Sequence, residues 1–278
     1  MTKLADYQRA YPTIKLERTA DGILEMTLHN NGGPYVWDFH GTIKDKTRQS
    51  SGGAQRELAD ALEAIARDPE NKIVILTGTG DQFSGPSATK ESFPRGDPEY
   101  WEVLRATDHR LVMGLLDIPV PVISCINGPA YRHAEIPFFA DIVLAAEGAL
   151  IQDSAHFPNR TVPGDSVNLI FPFLMGWIRG RYFLYTGQKM DAKEMKELGL
   201  VNEVLPREKL LPRARELAAQ MVQNNPLALR YTRLILTAPL KAFIERYLPY
   251  TFAMEALAAV HESTGKVGFT WDEPKDPA

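Results

Sequence analysis

The segment PVPVISCINGPAYRHAEIPFFADIVLAAEGALIQD, residues 119–153, decides the fold of this chain. Two apolar runs, PVPVISCI and DIVLAA, flank a segment that has the pattern of a short helix after Pro129. A near-continuous apolar run is typical of a strand that is covered on both faces. Two such strands joined through a helix predict an α/β core.

The same alternation continues toward the N-terminus. Residues 13–18 (TIKLER) and 23–29 (ILEMTLH) alternate apolar and polar side chains around Ala20-Asp21-Gly22, which predicts a hairpin. Residues 54–68 repeat apolar positions at helical spacing and lead into the buried strand pattern KIVILTGTG, residues 72–80. Residues 30–53 are rich in Gly, Asn, Asp and Ser, so we expect a loop of the kind that often lines a pocket.

Helical patterns dominate after Asp165, interrupted by the short strand pattern VNEVLP. Long helical stretches run from Arg207 onward, and Pro249 is expected to break or kink one of them. The sequence therefore predicts an α/β core over residues 1–205 and a C-terminal helical region over residues 206–278.

Composition excludes several classes of protein. The 278 residues are 44% hydrophobic and 24% charged, which is ordinary for a soluble globular protein. A net charge of −4 provides no basic field, so neither nucleic acid nor an anionic membrane is an expected partner. The N-terminus lacks an apolar signal segment, and no run reaches the roughly eighteen apolar residues of a membrane span, so we expect a cytoplasmic protein. The single cysteine, Cys125, lies in an apolar run and is expected to be a buried hydrophobe.

Residues 128–166 contain the candidate catalytic groups His133, His156 and Asp165. Histidine exchanges protons near neutral pH, and a carboxylate at one ring nitrogen fixes the tautomer that leaves the other nitrogen as a base. The intervening FPNRTVPG has two prolines and a glycine, so it can fold back and bring Asp165 to His156. Asp165 also fits the N-cap of the following helix, and both roles are compatible. No HxH, HExxH or CxxC spacing is present, so no metal is expected.

Four separated blocks of the chain resemble the crotonase (enoyl-CoA hydratase/isomerase) superfamily. They are KIVILTGTGDQFSG, the segment 119–153 quoted above, VPGD, and RYFLYTGQKMDAKEMKELGLVNEVLP. The resemblance implies a crotonase-like spiral of ββα turns with a C-terminal helical region that packs trimers, often paired into hexamers.

The chain departs from this pattern at both segments that bind the thioester oxygen in CoA-dependent members. FSGPSAT replaces an FSAGAD-like loop, and Arg132-His133-Ala134 replaces a run of glycines. Glycine allows backbone N–H donors to approach an oxygen closely, whereas bulky side chains obstruct that approach. The pattern NGP-xxx-H-x-EIP, followed by QD-xx-HFP-xxx-VPGD, resembles instead the branch of β-diketone hydrolases that includes 6-oxocamphor hydrolase. That branch cleaves a carbon–carbon bond between two carbonyls without CoA.

The resemblance implies a role for five residues. We expect His156 to be the general base toward water, Asp165 to orient its ring, and His133 to donate a hydrogen bond to a carbonyl. Trp37 is expected to be a second donor or an apolar wall, and Glu255 an acid in the pocket. The apolar residues expected around the substrate include Phe83, Phe157, Phe138 and Trp101. No cofactor is implied, because the second carbonyl accepts the leaving electrons.

Each assignment has an alternative. Trp37 could serve core packing, His133 could be a core histidine bonded to backbone, and Glu255 could be solvated. The whole chain could be a CoA thioester enzyme with altered oxyanion loops, or a crotonase-fold binding or assembly module without catalysis.

Overall fold

The computed structural model describes residues 2–37, 54–85 and 96–264. In these ranges a six-stranded sheet has the order β1-β2-β3-β4-β5-β8, and β6 pairs with β7 in a separate antiparallel ladder. The β1–β2 pair is the predicted hairpin and is antiparallel, whereas the remaining pairs of the large sheet are parallel. The strands are β1 (Ile14–Arg18), β2 (Ile23–Leu28), β3 (Ile73–Gly78), β4 (Val122–Ile126), β5 (Ile142–Ala146), β6 (Leu150–Ile151), β7 (Met190–Asp191) and β8 (Glu203–Leu205).

Helices cover both faces of the sheet, as the apolar strand patterns predict. The described helices are α1 (Leu4–Tyr7), α2 (Ala54–Arg67), α3 (Pro98–Asp117), α4 (Val167–Met175), α5 (Trp177–Thr186), α6 (Ala192–Glu197), α7 (Arg207–Met221) and α8 (Pro226–Thr264). Short 3-10 helices span Ile136–Phe139, after Pro129, and Phe157–Asn159.

The two faces of β3 belong to two different cores. Val74 and Leu76 pack in the large cluster with α2 and α3, while Ile73 and Ile75 pack in a second cluster with α7. Every residue of β3 is therefore buried. Because α7 supplies the cover for the second face, the helical region after residue 205 shares a core with the strands before it. Cys125 on β4 is fully buried in that second cluster, as predicted.

Helix α8 carries Glu255 and is not broken by its prolines. Pro239 and Pro249 both lie inside it, so of the predicted break or kink at Pro249 the break is wrong, and the kink stays a prediction. A proline inside a helix costs roughly 3 kcal/mol, since it removes one backbone hydrogen bond and crowds the preceding turn. The buried side chains Leu248 and Phe252, on either side of Pro249, pack into the protein and offset this cost. Among the helices in the described ranges, none combines the length and apolarity that crossing a bilayer requires.

Candidate active site

Backbone pairing brings the two candidate histidines together. Ala130 forms an isolated parallel bridge with Ile151, and its N–H donates to the Leu150 carbonyl at 2.8 Å. The Gln152 N–H donates back to the Ala130 carbonyl at 3.1 Å. Ala130 and Ile151 are therefore held side by side. His133 and His156 follow them within a few residues, so both histidines reach the same cavity.

The cavity has an apolar part and an acid–base part. Trp101 and Leu104 of α3 and Phe252 of α8 supply apolar lining and pack together as one cluster. The acid–base lining includes Asp108, His133, His156, Asp165 and Glu255, all of which are buried, and Arg132 also lines the cavity. Water is largely excluded from these groups, so electrostatic interactions among them are stronger than at the surface.

His156 lies among three carboxylates. Its Nδ1 is 2.7 Å from Asp153 Oδ1, and its Nε2 is 3.3 Å from Asp165 Oδ2 and 3.8 Å from Glu255 Oε1. Burial by itself would lower the pKa of the imidazole, but Asp165 and Asp153 together raise that pKa well above its ordinary value. The FPNRTVPG segment thus folds back as predicted, and His156 favours its protonated form.

His133 is held in a different way. Its Nδ1 lies 2.9 Å from Glu135 Oε1, and its ring stacks against Trp37 with centroids 4.2 Å apart. The pKa of His133 is about 9, because Glu135 and Asp165 outweigh the lowering effect of burial. Its backbone has φ of +46°, a left-handed conformation that glycine adopts easily. His133 therefore keeps a glycine-like backbone at the position where the resemblance places glycine.

Asp165 connects the two imidazoles. Its Oδ2 is 3.3 Å from His156 Nε2 and 3.9 Å from His133 Nδ1. Burial opposes ionisation, yet His156 and then His133 lower the pKa of Asp165 to about 2, with help from the backbone N–H of Val167. Ser166 occupies the N-cap position of α4, so Asp165 is the residue just before the cap. Asp165 is therefore a carboxylate at neutral pH.

Glu255 is buried rather than solvated, so the solvated alternative is wrong. Burial raises the pKa of Glu255 to about 8, against the opposing effect of His156. Helix α8 approaches this closely because Gly164 has no side chain: a Cβ there would lie 2.7 Å from Glu255 Cβ and would also meet the Thr251 carbonyl. The Thr251 hydroxyl in turn donates to the Gly164 carbonyl at 2.8 Å.

Sequence reasoning missed three buried acids: Glu135 at His133, Asp153 at His156, and Asp108 on α3. The spacings H-x-E and D-x-x-H could have indicated the first two, because residues two or three apart in a turn can contact each other. Burial raises the pKa of Asp108 to about 8, while His133 opposes this effect. The helical pattern around Asp108 contains no signal that its carboxyl faces a cavity.

Comparison with known proteins now identifies the superfamily. The enoyl-CoA hydratase/isomerase family matches residues 50–266. The chain belongs to this family, within the crotonase superfamily. YngF of Bacillus subtilis (strain 168), which is named as an enoyl-CoA hydratase/isomerase, is 32% identical over 181 residues, covering 64% of this chain and 68% of YngF. The hydroxycinnamoyl-CoA hydratase-lyase of Pseudomonas fluorescens is 27% identical over 236 residues, covering 82% and 79% of the two chains.

Solved structures confirm the predicted crotonase fold. A β-diketone hydrolase from the cyanobacterium Anabaena sp. PCC 7120, bound to (S)-3-oxocyclohexyl acetic acid, superposes with a TM-score of 0.86 at 36% identity. The match covers 93% of this chain and 98% of that one. An enoyl-CoA hydratase/isomerase from Mycobacterium paratuberculosis has a TM-score of 0.75 at 21% identity, covering 90% and 94%, and shares the fold alone.

Within this crotonase fold, three aromatic residues lie apart from the cavity lining. Phe83 is fully buried in the large core. Phe157 is half exposed and packs edge-to-face on Tyr185 with ring centroids 5.0 Å apart, so it lines a separate surface hollow. Trp37 is buried behind His133, where it supports that ring. The expected binding roles of Phe83, Phe157 and Trp37 stay predictions. The FSGPSAT segment lies outside the described residues after Gly85.

One group of described residues has the donor set of a metal site: atoms of His133, Glu135 and Asp165 lie within 4.8 Å of one another. The pKa of the His133 imidazole is about 9, so a metal at Nδ1 would have to displace the proton that this ring carries at neutral pH. In the structure, Nδ1 of His133 lies 2.9 Å from Glu135 Oε1 and 3.9 Å from Asp165 Oδ2.

Proposed function

We propose that this crotonase-superfamily protein hydrolyses the carbon–carbon bond between the carbonyls of a β-diketone. The substrate would be cyclic or bicyclic, the product a keto acid, and no cofactor would be needed. The observation that carries the proposal is the buried arrangement of His133, Asp165 and His156. The chain that contains this arrangement is 36% identical to a β-diketone hydrolase over nearly its full length.

The reaction requires three tasks. Water loses a proton and adds to one carbonyl carbon, which forms a tetrahedral oxyanion. That adduct collapses to a carboxylic acid while the carbon–carbon bond breaks and its electrons form the enolate of the second carbonyl. A proton then adds to the enolate carbon. The site must therefore supply a base, a stabiliser of negative oxygen and an acid.

The cavity contains a candidate for each task. His156 in its neutral form would accept the proton of water, and Asp165 would stabilise the resulting imidazolium at Nε2. His133, protonated at neutral pH, would donate a hydrogen bond to the carbonyl that becomes the oxyanion. Glu255, whose pKa of about 8 keeps it protonated at neutral pH, would supply the proton for the enolate carbon. Because carboxylates raise the pKa of His156, the rate should first increase as pH rises above neutral, and it should fall again as Glu255 and His133 lose their protons at about pH 8 to 9.

The proposal is tested with purified protein and 2,2-disubstituted cyclic 1,3-diketones, with detection of the keto acid by mass spectrometry. His156→Ala and Asp165→Asn should each lower kcat by at least about 100-fold. His261→Ala is the matched control, because it removes an exposed imidazole from α8. If the two site variants retain wild-type diketone activity, the assigned catalytic pair is wrong.

A second candidate is an enzyme for CoA thioesters, since sequence relatives such as YngF are named enoyl-CoA hydratase/isomerases. Turnover of crotonyl-CoA without any diketone hydrolysis would favour this candidate and refute our proposal. If neither class of substrate is converted, a non-catalytic binding or assembly module becomes the better interpretation.

We also propose that the protein assembles as a homotrimer or a dimer of trimers. Helices α5 and α8 expose large apolar side chains, among them Trp177, Ile178, Ile235 and Leu236. Soluble monomers seldom leave large contiguous apolar surfaces uncovered. Light scattering coupled to gel filtration should give three or six times the mass of one chain, and a monomeric mass would refute the proposal.

A further inference from the structure

We propose that Asp153 is a positioning residue that fixes the ring of His156 and so selects Nε2 as the nitrogen that exchanges protons with the substrate water. The role of Nε2 toward the substrate water rests on the proposed function. The sequence predicts that Asp165 orients the ring, but in the structure Asp153 and Asp165 contact different nitrogens of His156.

Asp153 makes the shorter contact, and it does so at Nδ1. The Oδ1 of Asp153 is 2.7 Å from Nδ1, whereas Asp165 Oδ2 lies 3.3 Å from Nε2. The side chains of His156 and Asp153 are 5% and 3% exposed, so water does not compete for the contact. An ionised carboxylate only accepts hydrogen bonds, which makes Nδ1 the donor. In the neutral imidazole, Nε2 is then the free base, and it faces Asp165.

The turn that carries both residues is fixed by hydrogen bonds. Gln152, next to Asp153, is bonded to Ala130 through its backbone and to the Gly187 carbonyl through its side chain, at 2.7 Å. The His156 carbonyl accepts N–H bonds from Asn159 at 2.7 Å and from Thr161 at 3.1 Å. The backbone on both sides of Asp153 is therefore hydrogen-bonded, which holds Asp153 two residues beyond β6 and beside the ring of His156.

Of the two imidazoles, Asp153 contacts that of His156, and this separates it from Asp165. Asp165 contacts both imidazoles, so its replacement perturbs His133 and His156 together. The Oδ2 atom of Asp153 is buried without a hydrogen-bond partner among the described residues.

The charge around His156 comes from four elements. Asp153 lies at the end of β6, Asp165 precedes α4, Glu255 lies on α8, and Asp108 on α3 interacts with His156 through space. Asp165 and Asp153 are the principal causes of the raised pKa of His156. Asp153→Asn removes one of these charges and keeps the size of the side chain, so the pKa of His156 should fall.

The histidine on the other side of the site provides a matched control. Glu135 Oε1 lies 2.9 Å from Nδ1 of His133, an arrangement parallel to that of Asp153 and His156. Glu135→Gln should therefore change the titration of His133 and leave that of His156 closer to wild type. A general loosening of the cavity would instead change both histidines in both variants.

The first test reads the tautomer of His156 in the wild type, so this readout does not depend on whether Asp153→Asn folds. In protein with ring-labelled histidine, assigned through His156→Ala, nitrogen chemical shifts should show that neutral His156 carries its proton on Nδ1. A proton on Nε2 would overturn the proposal. In Asp153→Asn the titration midpoint of His156 should move to lower pH, and an unchanged midpoint and tautomer would also overturn it.

The second test is kinetic. Asp153→Asn should lower kcat with a diketone by at least about 10-fold, because loss of the orienting carboxylate allows the wrong tautomer of the catalytic imidazole. The rising limb of its pH–rate profile should move to lower pH with little change in KM, and Asp153→Glu should restore part of the rate. If the rising limb of the Asp153→Asn profile lies at the same pH as that of the wild type, the inference is refuted. If the wild type hydrolyses no diketone while the spectra are as expected, the proposed function fails and the positioning role stands.

Discussion

Replacement of Asp108 by asparagine should stabilise the protein at alkaline pH and have little effect near pH 4. Asp108 is 5% exposed on α3, and its Oδ1 has no hydrogen-bond partner among the described residues. Burial raises its pKa from 3.8 to about 8. The folded protein therefore keeps a proton on Asp108 over a pH range in which the unfolded chain has lost it.

The direction and size of this effect on stability follow from the linkage between proton binding and folding. A raised carboxyl pKa means that stability is full below pH 3.8 and decreases as pH rises to about 8. At about 1.4 kcal/mol for each pH unit, the loss over this range is roughly 6 kcal/mol. Asparagine is neutral throughout, so Asp108→Asn escapes that loss. Its stability advantage over the wild type should grow from near zero at pH 4 to several kcal/mol at pH 8.

Urea unfolding at pH 4, 6 and 8 measures this difference, at one fixed protein concentration because assembly affects apparent stability. Asp81→Asn is the control, since it makes the same substitution at an exposed position. If Asp108→Asn is less stable than the wild type by the same amount at every pH, Asp108 is ionised in the folded protein and the reasoning is wrong.

Three further changes test the geometry of the site. Gly164→Ala would place a Cβ against the Thr251 carbonyl and push α8 away, so kcat should fall at least about 10-fold. Gly148→Ala is the control and should keep full activity, because a Cβ at residue 148 would have no atom within 4 Å. His133→Asn and His133→Ala should lose similar activity. Thermal unfolding should show the alanine variant about 1 kcal/mol less stable, because asparagine tolerates the positive φ of residue 133 better. Equal stabilities would show that the backbone at this position is not strained. Asp165, with a pKa of about 2, should contribute roughly 2 kcal/mol to the free energy of unfolding, and this contribution is lost as pH falls from 3.8 to 2. Acid unfolding of Asp165→Asn should therefore show no loss of stability in this pH range. If the variant loses as much stability there as the wild type, Asp165 is not the source of the loss.

The secondary structure could largely be predicted because it depends on local patterns. The apolar runs of β3 and β4 required cover on both faces, and the α2, α3 and α7 helices provide it. The exception is Pro249, where the local rule predicts a break. Packing on both sides of the proline overrides that rule, and packing is not a local property.

The candidate site divides in the same way. The sequence identified His133, His156 and Asp165 because they lie within one short stretch of titratable residues. It also placed Glu255 among the candidates through the resemblance, but only the structure shows that its carboxyl is buried beside His156.

The amino-acid sequence by itself determined the fold class, the superfamily and the residue types available for proton transfer. Tertiary structure alone decided that Asp153 holds Nδ1 of His156 and that Asp165 lies at Nε2 between the two imidazoles. It also decided that Asp108 is a buried acid. The physical reason is that a hydrogen bond depends on differences of less than 1 Å, and a pKa depends on burial and neighbouring charge. Spacing along a chain specifies neither.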